Sequence, residues 1–126
     1  MGNGTRIGRV RGLGSAHEGA HHWLLQRFTA VGNLVLVLWL VFSLLTLPDY
    51  GYLTMASWLS SPLAATAMVL LIISTFWHAR LGMQVMIEDY VHGANRFAAI
   101  VAMNLFFVAG GVFGIVSVIR IALGGA

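Results

Sequence analysis

One histidine and a carboxylate–phenol pair are the residues of this chain best suited to chemistry in an apolar setting. They share one stretch, HARLGMQVMIEDY, from His78 to Tyr90. An imidazole inside an apolar segment offers a nitrogen lone pair to a metal or a hydrogen bond to a neighbouring helix. On a helix, positions 74, 78, 82, 85 and 89 share a face, which here reads Ser74, His78, Gly82, Val85 and Asp89. Glycine one turn past the histidine is costly to a helix, and it is useful where something flat must lie against the backbone. A porphyrin is flat, and its iron takes an imidazole as axial ligand. Arg27 approaches from the same side and can pair with a propionate. The alternative is that His78 only hydrogen-bonds another helix and Gly82 only serves packing. Asp89 and Tyr90 also allow two readings. As an interfacial cap, the tyrosine joins the aromatic belt and the aspartate is solvated beside Arg96. As a polar pair, they bind a lipid-soluble head group such as a quinone, with Tyr90 donating to a carbonyl oxygen.

Other motifs carry less. HEGAH, His17 to His21, matches the H-E-x-x-H zinc-protease pattern. That chemistry needs a third ligand and a cleft, and Gly12, Gly14 and Gly19 surround the motif in a segment too short to enclose a site. The tail's glycines follow no strand and miss the G-x-G-x-x-G spacing. MGNGTR fails the myristoylation pattern because Arg6 stands where Ser or Thr is required. Gly110 and Gly114 form a small-xxx-small pair, a face for close helix packing, against this chain or another. Cysteine is absent, which excludes disulfides, thiolate catalysis and cysteine-ligated clusters.

The elements that must position these residues follow from composition. Of 126 residues, 59% are hydrophobic and 9% charged, against about 25% charged in an ordinary soluble domain. So few charges cannot cover a surface in water, so lipid must solvate most of the chain. The expectation is an all-α membrane protein of one domain, residues 1–126. A basic cytoplasmic tail (1–23) precedes three transmembrane helices at about 24–47, 62–87 and 97–120, which form part of a multi-subunit helix bundle. The first apolar run, Phe28 to Leu47, is free of charge and about the ~20 residues needed to cross the hydrocarbon. It is too long for a signal peptide's apolar core. PDYGY breaks the helix after it, and Pro62 opens the second span, in which Arg80 is the only charge. Arg6, Arg9, Arg11 and Arg27 precede or enter the first span, and Arg80 and Arg96 flank the second connection. The 48–61 connection has no arginine. The positive-inside rule therefore puts the N-terminus in the cytoplasm, with Arg120 snorkelling to the opposite interface. The basic tail beside an apolar run reads as membrane orientation, with no nucleic acid as partner.

Histidine, ten residues, then Asp-Tyr at the end of the second of three spans resembles the hydrophobic membrane anchor subunits of succinate dehydrogenase (respiratory complex II). HHWLLQRFTAVG is similar to that family's entry segment, and HARLGMQVMIEDYVHGANR covers its second helix end and loop. The third span matches in character only. The resemblance implies that His78 is an axial ligand of haem b, the second ligand coming from another membrane subunit. It implies that Tyr90 donates a hydrogen bond to ubiquinone, with Asp89 in the network around it, and that Arg27 and His21 lie near the haem propionates. It further implies a flavoprotein and an iron–sulfur protein as partners. The location would be a bacterial cytoplasmic (inner) membrane, in preference to the mitochondrial inner membrane. Two rivals are a fumarate reductase anchor working with menaquinol and a non-redox structural or transport-complex subunit. The arginine distribution makes one direct prediction. A reporter fused after Ala126 should be active only outside the cytoplasm, and activity confined to the cytoplasm would reverse the topology.

Overall fold

The computed structural model describes residues 19–125, which form three long helices and one short one. Helix α1 spans Gly19–Thr46, α2 Tyr52–Ser60, α3 Pro62–Tyr90 and α4 Ala94–Ala122. The long helices hold 28, 29 and 29 residues, each about 42 Å at 1.5 Å per residue. All three are long and apolar enough to cross a membrane, so the all-α, three-span architecture expected from the sequence is present. Their apolar residues are exposed on every long helix, Phe28, Leu45, Leu63, Phe97 and Phe113 among them. Such a surface is stable only in lipid or against other subunits.

The boundaries differ from expectation in three places. Helix α1 is already helical from Gly19, because nothing between Ala20 and Arg27 breaks a helix. Helix α3 runs through Glu88 and Asp89 to Tyr90, and α4 begins at Ala94, so the polar 88–96 segment is mostly helix. Carboxylates do not end a helix; the turn does. Val91 is extended and its N–H closes on the Ile87 carbonyl, and Gly93 takes φ 68°, where a side chain would be strained. The third difference is α2, nine residues inserted into a connection that reads as a break. Pro48 stops α1, and the Tyr50 hydroxyl donates to the Leu44 carbonyl, one of the acceptors left over at the helix end. The Gly51 N–H donates to the Asp49 carboxylate, and this bond and then the Thr54 hydroxyl hold its pKa below the ordinary value. Trp58 of α2 stacks on Trp39 of α1 at 5.8 Å, which ties the short helix back to the long one.

Helix α3 packs on α1 with one face and on α4 with another, while α1 and α4 do not touch. Ala64, Ala67 and Leu71 are buried along α3, Met103 and Val118 along α4. The two seams differ in chemistry. Between α1 and α3 the contacts are polar: Ser74 Oγ donates to the Thr29 carbonyl at 3.2 Å and Thr75 Oγ1 to Asn33 Oδ1 at 3.4 Å. Between α3 and α4 they are mainly glycine against ring and aliphatic side chain, with one hydrogen bond, from Arg80 Nε to Asn104 Oδ1. A Cβ on Gly110 would stand 2.8 Å from Phe76 Cε1, and one on Gly114 would stand 3.4 Å from Ile72 Cδ1. Phe76 is held edge-to-face on Phe107 at 6.0 Å. The small-residue pair therefore serves packing within this chain. Gly110→Ala should destabilise the α3–α4 pair by about 1–3 kcal/mol, the usual cost of overpacking. Adding Phe76→Leu should recover most of it. Denaturant midpoints in detergent that are equal for wild type and Gly110→Ala would show that the ring yields freely.

Candidate functional site

His78 lies a little past the middle of α3, on the face turned to α1. Its Nδ1 is 3.0 Å from the hydroxyl of Thr29, a residue only 7% exposed and the one buried polar residue among those described. The Thr29 hydroxyl also lies 2.8 Å from the Leu25 carbonyl and 3.2 Å from that of Gln26. A hydroxyl has one proton, and the short bond to Leu25 takes it. We therefore assign the proton of the imidazole to Nδ1, which donates to Thr29 Oγ1. Nε2 is left with its lone pair and has no hydrogen-bond partner among the described residues. This is the arrangement that metal-ligating histidines use, one nitrogen tied to an acceptor and the other turned to the metal.

The surroundings of His78 come from the same two helices. Ser74, one turn earlier, bonds the Thr29 carbonyl, and Gly32 opposite leaves room, since a Cβ there would sit 3.3 Å from Ser74 Oγ. Gly82, one turn later, faces Gln26, whose amide nitrogen is 3.8 Å from where a Cβ would be. Gln26 Oε1 is buried and has no partner within the described chain. Beside this polar seam an apolar groove of about 360 Å³ opens between Leu25, Phe28, Leu36, Leu70 and Trp77. The residues present thus fit a planar ligand of mixed polarity whose iron accepts one imidazole. No group of three or more His, Cys, Asp and Glu side chains that could hold a bare metal ion occurs among the described residues. His17 and Glu18 of the H-E-x-x-H match lie outside those residues.

Arg27 and His21 are exposed on α1 on the arginine-bearing side of the helix layer. The Arg27 guanidinium stacks over Trp23 at 5.4 Å, a cation–π contact that leaves its N–H groups open. Tyr90 ends α3 with 81% of its surface exposed, and its hydroxyl has no partner among the described residues. Asp89 is exposed beside it. The carboxylate that meets Arg96 is not Asp89, as the cap reading had it, but Glu88, at 3.9 Å. Glu88 also accepts from Gln84 at 2.9 Å, the neighbour one helical turn back. Neither Asp89 nor Tyr90 makes a hydrogen bond or ion pair among the described residues. His78 and Tyr90 are twelve residues apart on one helix, about 18 Å along its axis. Thr29 and Gln26 carried no sequence signal as site residues, because their partners lie about fifty residues away.

Residues 1–113 match the family model for succinate dehydrogenase/fumarate reductase transmembrane subunits. The chain is 36% identical over 105 residues to the succinate dehydrogenase hydrophobic membrane anchor subunit of Rickettsia bellii, covering 82% of this chain and 84% of that one. It is 32% identical over 98 residues to the subunit of the same name from Paracoccus denitrificans, covering 77% and 75%. The membrane anchor subunit of Reclinomonas americana is 36% identical over 79 residues, 60% of this chain and 66% of that one. With nearly the whole of its three-helix layer accounted for, the chain belongs to the family of succinate dehydrogenase/fumarate reductase transmembrane subunits.

Proposed function

We propose that this chain is the membrane anchor of a succinate:ubiquinone oxidoreductase in a bacterial cytoplasmic membrane. It holds a flavoprotein and an iron–sulfur subunit at the bilayer. It supplies one axial ligand of a haem b through His78 and builds part of the ubiquinone site with Tyr90 and Asp89. A second membrane subunit supplies the other axial ligand. The names carried by the relatives support the direction of succinate oxidation. The observation that carries the haem reading is the Thr29–His78 hydrogen bond, which leaves Nε2 bare on a helix that must otherwise avoid unpaired polar groups.

A haem bound there supplies a one-electron site of tunable potential. The work of this chain is to position. Thr29 fixes the ring orientation of His78 and makes Nε2 the better donor, as second-shell acceptors do. Arg27 and His21 offer N–H groups to carboxylates on the arginine-bearing side. The buried Gln26 Oε1 calls for a donor from beyond the described residues, which supports a closed interface at this level. Farther along α3, the Tyr90 hydroxyl donates to a quinone carbonyl oxygen and strengthens its hold as charge builds there. Asp89 supplies an adjacent acceptor for the network around that hydroxyl.

Two experiments test the halves separately. His78→Ala in the assembled complex should abolish or shift the low-spin absorption spectrum. Thr29→Val, which keeps the volume and removes the acceptor, should weaken haem retention roughly 10- to 100-fold, and Thr29→Ser should restore it. An unchanged spectrum in His78→Ala would place the ligand elsewhere, and equal retention in Thr29→Val would remove the threonine from the site.

Tyr90→Phe tests the quinone half. A hydrogen bond to a group gaining charge is worth about 1.5–3 kcal/mol, so quinone reduction should slow by roughly one to two powers of ten. Succinate oxidation with an artificial acceptor that bypasses the quinone should be nearly unaffected. A wild-type quinone rate in fully assembled Tyr90→Phe complex would make Tyr90 a membrane-belt residue.

A further inference from the structure

Arg80 is the only charge in the apolar part of α3, and it stands on the face opposite His78, toward α4. Its Nε donates to Asn104 Oδ1 of α4, and its guanidinium lies over the Trp77 ring at 5.5 Å. Neither partner is an anion, and no carboxylate forms an ion pair with Arg80 among the described residues. A guanidinium has five N–H donors in a fixed fork, so most of its donor capacity and all of its charge are left unmatched.

The guanidinium sits at one end of an apolar groove of about 430 Å³ between α3 and α4. The walls are Ile73, Phe107, Val108, Val112 and Ile115. On α4 the groove runs from Asn104 to Ile115, about 16 Å along the helix. From Arg80 it leads away from the arginine-bearing end, toward the end marked by Pro62.

Depth decides what can reach it. Counting about 20 residues, the thickness of the hydrocarbon, inward from Pro48 and Pro62 comes to Phe28 on α1 and Gly82 on α3. The two helices agree independently, since Gln26 faces Gly82 and Thr29 bonds His78. Arg80 therefore lies at the edge of the hydrocarbon, level with Arg27, where phosphate groups begin. A lone cation at that edge, heading an apolar groove that descends toward the bilayer centre, has the polarity and orientation of a phospholipid turned inside out.

We propose that this groove holds one anionic phospholipid of the arginine-side leaflet, its phosphate on the Arg80 guanidinium and one acyl chain along the α3–α4 groove. Asn104 and Trp77 fix the guanidinium, so that its remaining N–H groups can meet phosphate oxygens in pairs. An anionic lipid is favoured over a zwitterionic one because its net charge compensates the arginine, whereas a choline headgroup brings its own cation. The site lies on the other face of α3 from His78, and it does not depend on the haem or quinone readings.

The test uses the assembled complex in nanodiscs of equimolar phosphatidylglycerol and phosphatidylcholine, with retained lipids counted by native mass spectrometry after transfer to mild detergent. Wild type should retain phosphatidylglycerol over phosphatidylcholine roughly fivefold, the preference one interfacial arginine confers. Arg80→Gln should lose one phosphatidylglycerol per complex, and Arg80→Lys should keep it. Val108→Trp, which fills the groove and leaves Arg80 in place, should lose the same lipid and decides the matter if Arg80→Gln does not assemble. Retention unchanged in an assembled Arg80→Gln or Val108→Trp complex would overturn the proposal. So would a photo-crosslinker at position 108 that captures a second membrane polypeptide in place of lipid.

Discussion

Among the described residues, every contact between long helices passes through α3, because α1 and α4 do not meet. A three-helix layer of this kind has no enclosed core: its centre is one helix, and the two flanks are open. The burden of specificity therefore falls on two seams, and the sequence of α3 divides its faces between them. Ser74, His78 and Gly82 turn to α1, and Ile72, Phe76 and Arg80 turn to α4. In lipid, apolar surface gives helices no reason to prefer one another, so association rests on close packing and interhelical hydrogen bonds. The α1 seam uses the hydrogen bonds. The α4 seam uses mainly glycines, which bring Phe76 and Ile72 against the opposing backbone, with the Arg80–Asn104 hydrogen bond toward one end.

That division explains why the histidine faces α1. On the glycine seam the Asn104 Oδ1 acceptor already takes the Arg80 N–H, and an imidazole nitrogen left unpaired in hydrocarbon is costly. On the α1 seam it meets a threonine whose own proton already goes to the helix backbone, so the threonine oxygen is an acceptor by default. Thr29 serves two purposes with one hydroxyl. It satisfies His78, and it keeps its proton within α1. The adjoining Thr29 carbonyl, which takes the Ser74 hydroxyl, adds a second bond at the same level. Together they hold the ring from one side and leave the other side to whatever binds beyond the chain.

Much of this was legible in the sequence, and the illegible parts share a cause. Charge-free runs revealed three spans because hydrocarbon thickness sets a length that composition must obey. His78, Asp89 and Tyr90 stood out because ionisable residues are rare in such runs. Glu88 and Asp89 mark the end of the apolar part of α3, and the helix itself continues to Tyr90 because a carboxylate does not stop it. Helix α2 was missed because nine residues carry too little periodicity to distinguish a helix from a loop. Gly110 and Gly114 announced close packing, but nothing local named Phe76 and Ile72 as what they pack against. Thr29 and Asn104 are ordinary residues in sequence and acquire meaning only from His78 and Arg80 across a seam. The pairing of Arg96 with Glu88 rather than Asp89 follows from which of two adjacent carboxylates the helix turns toward α4.

The mismatch between helix length and hydrocarbon thickness gives the chain its working geometry. Each long helix is about 42 Å, while the hydrocarbon is about 30 Å. The surplus falls on the arginine-bearing end, because Pro48 and Pro62 fix the other. His78 thus lies just inside the hydrocarbon edge, where an imidazole needs a partner within the protein and has one in Thr29. Tyr90 lies beyond that edge, at the tip of the α3–α4 hairpin, where its hydroxyl has no hydrogen-bond partner among the described residues. A chain that spans the bilayer and also presents groups beyond its edge needs both kinds of position. One straight helix, somewhat longer than the membrane is thick, supplies the two at a fixed separation.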